Sequence, residues 1–287
     1  MSRLVAVTPG DPAGIGPEVL AKALRARPRL AARCLLVGAP WQVRVPRGRV
    51  SRAAGAAALD WLREGVRAVL TGRAAALVTG PVSKEAIARI LPGFTGQTEF
   101  VAAAAGVREP VMLLGGPELK VVIVTRHMAL ARVPRALSAG LVARAIRITA
   151  GGLTRWFGIA RPRLAICGLN PHAGEGGLLG REDSRIVAPA VRAVRRSGIR
   201  AVGPLPGDAV FAPANRRRYD AVVAMYHDQG LAPLKAVEGG RAVNATLGLP
   251  FLRVSPAHGT AFDIAGRGRA DPTSMIAALE TAVRAAS

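Results

Sequence analysis

Runs rich in Val, Leu and Ile recur along the chain at 4–7, 34–37, 75–79, 111–114, 121–125, 164–167, 221–225 and 251–254. Most are apolar at successive rather than alternate positions, which predicts strands covered on both faces. Between them lie longer segments at 17–25, 54–70, 83–90, 99–105, 136–157, 184–196 and 274–285. Their mixed apolar and polar positions predict amphipathic helices. Asp183 and Ser184 before one helix, and Thr273 or Ser274 before the last, offer side chains that cap free N–H groups. Strand and helix patterns that interleave in this way predict an α/β protein with a largely parallel sheet. No internal repeat or low-complexity linker interrupts the series, and Pro46-Arg-Gly-Arg is its most loop-like stretch.

With 287 residues, half of them hydrophobic, the chain can bury a large core and is long enough for two lobes. No apolar run reaches the roughly 18 to 20 residues that cross a bilayer, so no membrane partner is expected. The N-terminus reads as a first strand entering a turn rather than a secretory signal. Cys34 and Cys167 sit in strand-like runs without a CxxC pair and read as buried thiols. A cytoplasmic location follows as the expectation. The net charge of +22 raises nucleic-acid binding as a function from another class. Its distribution argues otherwise: the lysines are only Lys22, Lys84, Lys120 and Lys235, and the arginines are scattered along predicted helices. Aromatic residues make up 4%, leaving few platforms on which bases stack. No specific nucleic-acid partner is therefore expected; tight, salt-sensitive DNA binding would restore that reading.

Three apolar strands run directly into a histidine: Val-Val-Ile-Val-Thr-Arg-His127, Leu-Ala-Ile-Cys-Gly-Leu-Asn-Pro-His172 and Ala-Val-Val-Ala-Met-Tyr-His227. Carboxyl ends of parallel strands face one crevice, so these imidazoles can converge although far apart in sequence. Three imidazoles suit one divalent metal ion and leave coordination positions open for substrate. Imidazole ligands alone do not choose between Zn, Co, Mn and Mg. Beyond His227 stand Asp228, Lys235, Asn244 and Arg253. The last three can present an ammonium, an amide and a guanidinium to an anionic substrate.

Two further strand-to-helix turns, Thr8-Pro-Gly-Asp-Pro-Ala-Gly-Ile-Gly-Pro17 and Thr79-Gly-Pro-Val-Ser-Lys-Glu85, suit tight turns or anion binding. Neither is a Walker A sequence, and Gly14-x-Gly16 does not complete GxGxxG, so a Rossmann site is unsupported. The segment His258-Gly-Thr-Ala-Phe-Asp-Ile-Ala-Gly-Arg-Gly-Arg-Ala-Asp-Pro272 resembles the nucleotide-adenosine loop of the isocitrate and isopropylmalate dehydrogenase superfamily. That resemblance implies an NAD or NADP site at His258, Gly259, Thr260 and Asp263. A carboxylate at Asp263 accepts hydrogen bonds from ribose hydroxyls and repels a 2′-phosphate, so NAD is the expected cofactor.

The motifs Thr-Pro-Gly-Asp-Pro-Ala-Gly-Ile-Gly-Pro-Glu18, Val-Thr-Gly-Pro-Val-Ser-Lys84, Gly-Gln-Thr-Glu99, Cys-Gly-Leu-Asn-Pro-His-Ala-Gly-Glu-Gly-Gly177, Met-Tyr-His-Asp-Gln-Gly230 and Asn-Ala-Thr-Leu-Gly-Leu-Pro-Phe251 together resemble the 4-hydroxythreonine-4-phosphate dehydrogenase family. The resemblance runs from about residue 4 to residue 285. It implies a two-lobed α/β/α fold with the active site in the cleft between lobes. The nucleotide lobe would comprise residues 1–125 and 255–287, and the metal, substrate and dimerisation lobe 126–254. It assigns one divalent ion (Zn, Co, Mn or Mg) to His127, His172 and His227, and substrate contacts to Gln97, Thr98, Lys235, Asn244 and Arg253. It also implies a homodimer with the metal site at the subunit interface. The expected reaction is NAD-dependent oxidation of a small phosphorylated hydroxy-amino acid, 4-phosphohydroxy-L-threonine. Lys235 is the expected base and Asp228 the alternative, with orientation of His227 as the competing role for Asp228. Two departures stand out. Gln97 occupies a place where members often carry His, and the stretch 40–58 is shorter than usual. Related branches act on 4-phospho-threonate, 4-phospho-erythronate or cis-dihydrodiols, and Gln97 is compatible with them.

Overall fold

All eight apolar runs become strands in the computed structural model, which describes residues 3–287. In chain order the strands are β1 (Val5–Thr8), β2 (Cys34–Leu36), β3 (Ala76–Thr79), β4 (Val111–Gly115), β5 (Lys120–Ile123), β6 (Arg163–Cys167), β7 (Arg200–Leu205), β8 (Ala221–Ala224), β9 (Val243–Leu247) and β10 (Leu252–Pro256). The two that the hydrophobic pattern misses are β7, which contains Gly203 and Pro204, and β9, where Asn244 and Thr246 interrupt the apolar run.

The chain divides into two compact units, one running to Pro110 and resuming at Val243–Ser287, the other Val111–Ala242. In the first, β2, β1, β3 and β10 pair in parallel, and β9 joins β10 antiparallel. In the second, β4 pairs antiparallel with β5, and β5, β8, β6 and β7 follow in parallel order. The compact units divide at 110/111 and 242/243, while the expected lobes divide at 125/126 and 254/255. β4 and β5 travel with β8, and β9 travels with β10.

The core of the first unit gathers Ala6, Leu77 and Phe251 against Leu59, Leu62 and Val66 of the helix Arg52–Leu70, with Ile87 and Val101 from the shorter helices beyond. Each such aliphatic side chain removed from water contributes about 1.5–3 kcal/mol. Ser51 caps the long helix by accepting the Ala54 N–H at 3.1 Å. In the second unit Val121, Ile123, Ala165, Cys167 and Val222 pack under Leu231 and Leu234 of the helix His227–Glu238. The sequence pattern misses that helix because Pro233 stands inside it.

Three local readings change. The predicted helix 136–157 breaks into Val133–Ala136 and Ala139–Phe157, and Ser138 caps the second piece by accepting from Leu141 N at 3.2 Å. Neither Asp183 nor Ser184 caps the following helix, which opens as a wide turn, Asp183–Val187, before Ala188–Arg196. At the last helix, Thr273–Ala285, Asp271 accepts from Thr273 N at 2.9 Å, while Ser274 Oγ accepts from Ala257 N at 3.0 Å. Burial pushes the Cys167 thiol up to about 12 and the half-buried Cys34 thiol up to about 11, so both stay protonated at neutral pH. Among the described residues no single helix is long and apolar enough to cross a membrane.

Candidate functional site

The first unit buries a cation. Arg253 on β10 is only 2% exposed, and its ladder partner on β9 is Thr246. Directly paired residues on antiparallel strands share a face, and alternate residues share it too, so Thr246 and Asn244 lie on the same side of the sheet as Arg253. The guanidinium donates to Thr79 Oγ1 from Nε (3.1 Å) and Nη2 (2.6 Å), and from Nη1 to Thr98 Oγ1 and Thr246 Oγ1, both at 3.4 Å. Thus threonine hydroxyls take hydrogen bonds from all three guanidinium nitrogens. Burial pushes the guanidinium down to about 10, with Glu99 opposing that shift, and it remains charged at neutral pH. A buried guanidinium whose hydrogen bonds go to hydroxyls, with Glu99 as a nearby countercharge, can serve as a receptor for an anion.

Gln97 and Thr98 open the helix Gln97–Ala104 at the edge of this nest. Gln97 Nε2 donates to Gly80 O at 3.1 Å, turning its Oε1 into a buried acceptor without a hydrogen-bond partner among the described residues. Asn244 Oδ1 is buried and unpartnered in the same sense. Such atoms are costly unless a ligand or an ordered water donates to them.

The loop 258–272 docks on the first strand-to-helix turn. Ile15 N–H donates to Thr260 O at 2.9 Å, and a side chain at Gly14 would collide with Thr260. Lys22 donates to Gly268 O and Ala270 O at 2.8 and 2.7 Å, and Glu18 accepts from Ala270 N at 2.9 Å. His258 Nδ1 lies 3.0 Å from Gly259 O, and its Nε2 is buried without a partner among the described residues. Gly259 is exposed and Asp263 stands exposed in a short 3-10 turn. The loop therefore offers backbone, imidazole and carboxylate groups, a donor set that fits a nucleotide.

Asp11, buried in the first turn, was not singled out by sequence. Burial raises its carboxyl above the usual value, against hydrogen bonds from Ala13 and Ser83 backbone groups. It ties that turn to the one that opens at Thr79, and Asp11 N–H donates to Pro81 O at 2.9 Å.

The three histidines expected as metal ligands, His127, His172 and His227, all belong to the second unit. His127 follows β5, and His227 opens the helix after β8. Their ring centres stand 5.6 Å apart. A metal ion at ~2.1 Å from one nitrogen of each ring holds two ring centres roughly 5 Å apart, so the pair fits a shared ion. His227 Nδ1 lies 2.7 Å from Asp228 Oδ1, which fixes the ring and leaves Nε2 for a ligand. Asp228 thus acts on His227. Lys235 is exposed eight residues further along the same helix, roughly 12 Å by helical rise. His172 is exposed on its own loop, and among the described residues no group of three or more His, Cys, Asp or Glu is placed to hold an ion. One chain brings together two of the three predicted ligands.

That third loop is strained. His172 (φ 50°), Ala173 (φ 54°), Gly174 (φ 85°), Glu175 (φ 43°) and Gly176 (φ 66°) form a left-handed turn. Left-handed backbone costs roughly 1–2 kcal/mol for each residue that carries a Cβ. Strain of this size persists only where surrounding structure enforces it, and it collects at functional sites. Asp183, 1% exposed, accepts from Leu169 N (2.6 Å), Asn170 N (3.1 Å) and Asn170 Nδ2 (3.0 Å). Asn170 Nδ2 also donates to Glu182 Oε2 at 2.9 Å, which holds the Glu182 carboxyl below its usual range.

Residues 21–282 match the family model described as pyridoxal phosphate biosynthetic protein PdxA. A 4-hydroxythreonine-4-phosphate dehydrogenase of Caulobacter vibrioides is 42% identical over 327 aligned positions, covering 100% of this chain and 98% of that protein. The crystal structure of a 4-hydroxythreonine-4-phosphate dehydrogenase from Klebsiella pneumoniae superposes with a TM-score of 0.89 at 36% identity, covering 100% of both chains. A terephthalate 1,2-cis-dihydrodiol dehydrogenase from Burkholderia xenovorans LB400 superposes with a TM-score of 0.72 at 33% identity, covering 99% of this chain and 98% of that one.

Proposed function

The chain belongs to the pyridoxal phosphate biosynthetic protein PdxA family, and on that premise we propose that it is a metal-dependent dehydrogenase that oxidises 4-phosphohydroxy-L-threonine with NAD. The product, 2-amino-3-oxo-4-phosphooxybutanoate, loses carbon dioxide to give 3-amino-2-oxopropyl phosphate. The observation that carries the reading is the His127 and His227 pair with Asp228 on the outer nitrogen of His227. His127, His172 and His227 would hold a divalent ion, which would supply Lewis acidity, and NAD would supply the hydride acceptor.

The chain's own groups do the rest. Arg253 and Thr98 bind the substrate's anionic end, and the Asn244 and Gln97 carbonyl oxygens accept from its donors. Lys235 removes the proton from the secondary hydroxyl. Asp228 keeps His227 in the tautomer that offers Nε2. The loop bearing His258, Gly259, Thr260 and Asp263 holds the nucleotide.

The working form in this proposal is a cytoplasmic homodimer with the metal site at its interface. Exposed apolar side chains beside two of the histidines support it: Leu130 (66%) and Met128 follow His127, and Leu178 (85%) and Leu179 follow His172. Replacing His172 with Ala is expected to abolish metal-dependent NAD reduction while the protein stays folded by circular dichroism. Full turnover by the chelator-treated variant would sink the mechanism.

A second reading keeps the fold and the metal but changes the substrate to a 4-phospho-threonate, a 4-phospho-erythronate or a cis-dihydrodiol. Gln97, presenting an acceptor, and the likeness to the Burkholderia dihydrodiol dehydrogenase favour it. Parallel NAD-reduction assays on these substrates separate the two readings.

A further inference from the structure

Each histidine-bearing segment of the second unit leaves its strand at a point held by the same chain of hydrogen bonds. Thr125, two residues before His127, donates to Met225 O from both its backbone N–H (3.1 Å) and its hydroxyl (2.7 Å). Met225, two residues before His227, donates its N–H to Gln229 Oε1 at 2.6 Å. Gln229 Nε2 in turn donates to Gly168 O at 2.6 Å, at the root of the His172 loop. Leu169 and Asn170 then donate to Asp183. The chain of contacts thus runs from β5 through β8 to β6 and ends on a buried carboxylate.

The surroundings are shaped to this carboxylate. A Cβ at Gly168 would meet Ala173 at 2.8 Å and Asp183 Oδ1 at 2.9 Å. One at Gly174 would meet Gly180 O at 2.9 Å, and one at Gly180 would meet the Asn170 amide and Glu182 Oε2, both at 2.7 Å. The loop from Gly168 to Gly180 is therefore closed tightly around Asp183 and Asn170. Gln229 is the only polar side chain in this chain of contacts that both accepts from one histidine segment and donates to another, among the described residues.

We propose that Gln229 and Asp183 are positioning residues of the metal site, fixing the spacing between the His127–His227 pair and the His172 loop without touching the ion. The inference rests on the three histidines being ligands. It holds for a site shared across a symmetric dimer, because each copy must present its own His172 at a fixed place relative to its own pair. Left-handed backbone persists only where surrounding structure enforces it, and the hydrogen bonds beneath this loop supply part of that enforcement.

The test uses zinc alone as the probe on the purified full chain, with affinity measured by competition against a chromophoric chelator. Amide hydrogen exchange over residues 168–180 and the melting temperature of the metal-free protein accompany it. Gln229→Leu and Asp183→Asn are expected to weaken zinc binding about 10- to 100-fold, the usual cost of losing an outer-shell partner. Exchange in the loop should quicken while the melting temperature stays within a few degrees of the parent. Gln229→Glu still accepts from Met225 N–H but sets a carboxylate oxygen against Gly168 O, so it should weaken zinc binding at least as much as Gln229→Leu. His172→Ala serves as the reference. If it loses zinc affinity while Gln229→Leu and Asp183→Asn retain parental affinity, the positioning role is overturned. If His172→Ala itself retains affinity, the ligand assignment fails instead, and the exchange rates show separately whether the tether holds the loop.

Discussion

The two compact units carry polar groups in opposite ways. In the first, Arg253 lies beneath helices, nearly sealed from water, and its hydroxyl partners come from β3, β9 and the Gln97–Ala104 helix. In the second, His127 and His172 sit exposed on segments beyond their strands, and order comes from a layer beneath them. The difference matches the chemistry that the proposed function asks of each. An anion is held best by a charge already stripped of water, whereas a metal ion has to be reached by ligands, substrate and a second chain.

The largest effect that sharpens this contrast is at Arg253. Arg253→Met replaces a buried charge with an apolar chain of similar length. The kcat/KM for the phosphorylated substrate is expected to fall on the order of 100-fold or more, since each charge-assisted hydrogen bond lost contributes roughly 1.5–3 kcal/mol. The melting temperature should hold or rise, because the apolar chain carries no desolvation cost. A variant that melts well below the parent but turns over normally would make Arg253 a structural residue and erase the contrast.

A smaller effect is expected at the exposed edge of the first unit. Asp263→Ser removes the carboxylate that repels a 2′-phosphate, and the ratio of kcat/KM for NADP to that for NAD should rise roughly tenfold. Stability should not change, as the side chain is exposed in a short turn. An unchanged ratio would mean that cofactor choice lies elsewhere in the loop.

The smallest concerns the second unit's frame. Burial alone would raise the Asp220 carboxyl, but hydrogen bonds from the Arg163 side chain and backbone N–H outweigh it and hold the group below its usual 3.8. A carboxyl depressed in the folded state contributes stability above its unfolded pKa and loses it as pH falls through the folded value. Asp220→Asn should therefore melt about 1–2 °C below the parent at pH 7, with the gap closing below about pH 4. A gap that persists undiminished at acid pH would assign the effect to packing instead of charge.

Much of the frame was legible from the chain. Continuous apolar runs gave eight strands, and the strand-end histidines led to a pair that meets, because a parallel strand delivers the residue after it to a predictable side of the sheet. The signals that failed were those that depend on partners. β9 carries Asn244 and Thr246 because it faces Arg253, and its polar residues hide it from a hydrophobic pattern. The helix beginning at His227 holds Pro233, a residue that reads as a breaker until packing overrides it. Asp183 looked like a helix cap because acidic and hydroxyl residues before an amphipathic segment usually are; its acceptors turn instead to a loop thirteen and fourteen residues earlier. Gln229 carried no signal beyond its place in Tyr226-His-Asp-Gln-Gly230.

By itself the sequence determined the class of fold and the family, since these depend on local periodicity and on motifs held in short segments. Only the tertiary structure decided that Arg253 is buried among threonines, that His127 and His227 meet while His172 stands apart on a left-handed turn, and that Gln229 and Asp183 tether the three segments. Those outcomes depend on which distant backbone groups a side chain finds within hydrogen-bond reach. That is a property of folded geometry, and spacing along the chain does not encode it.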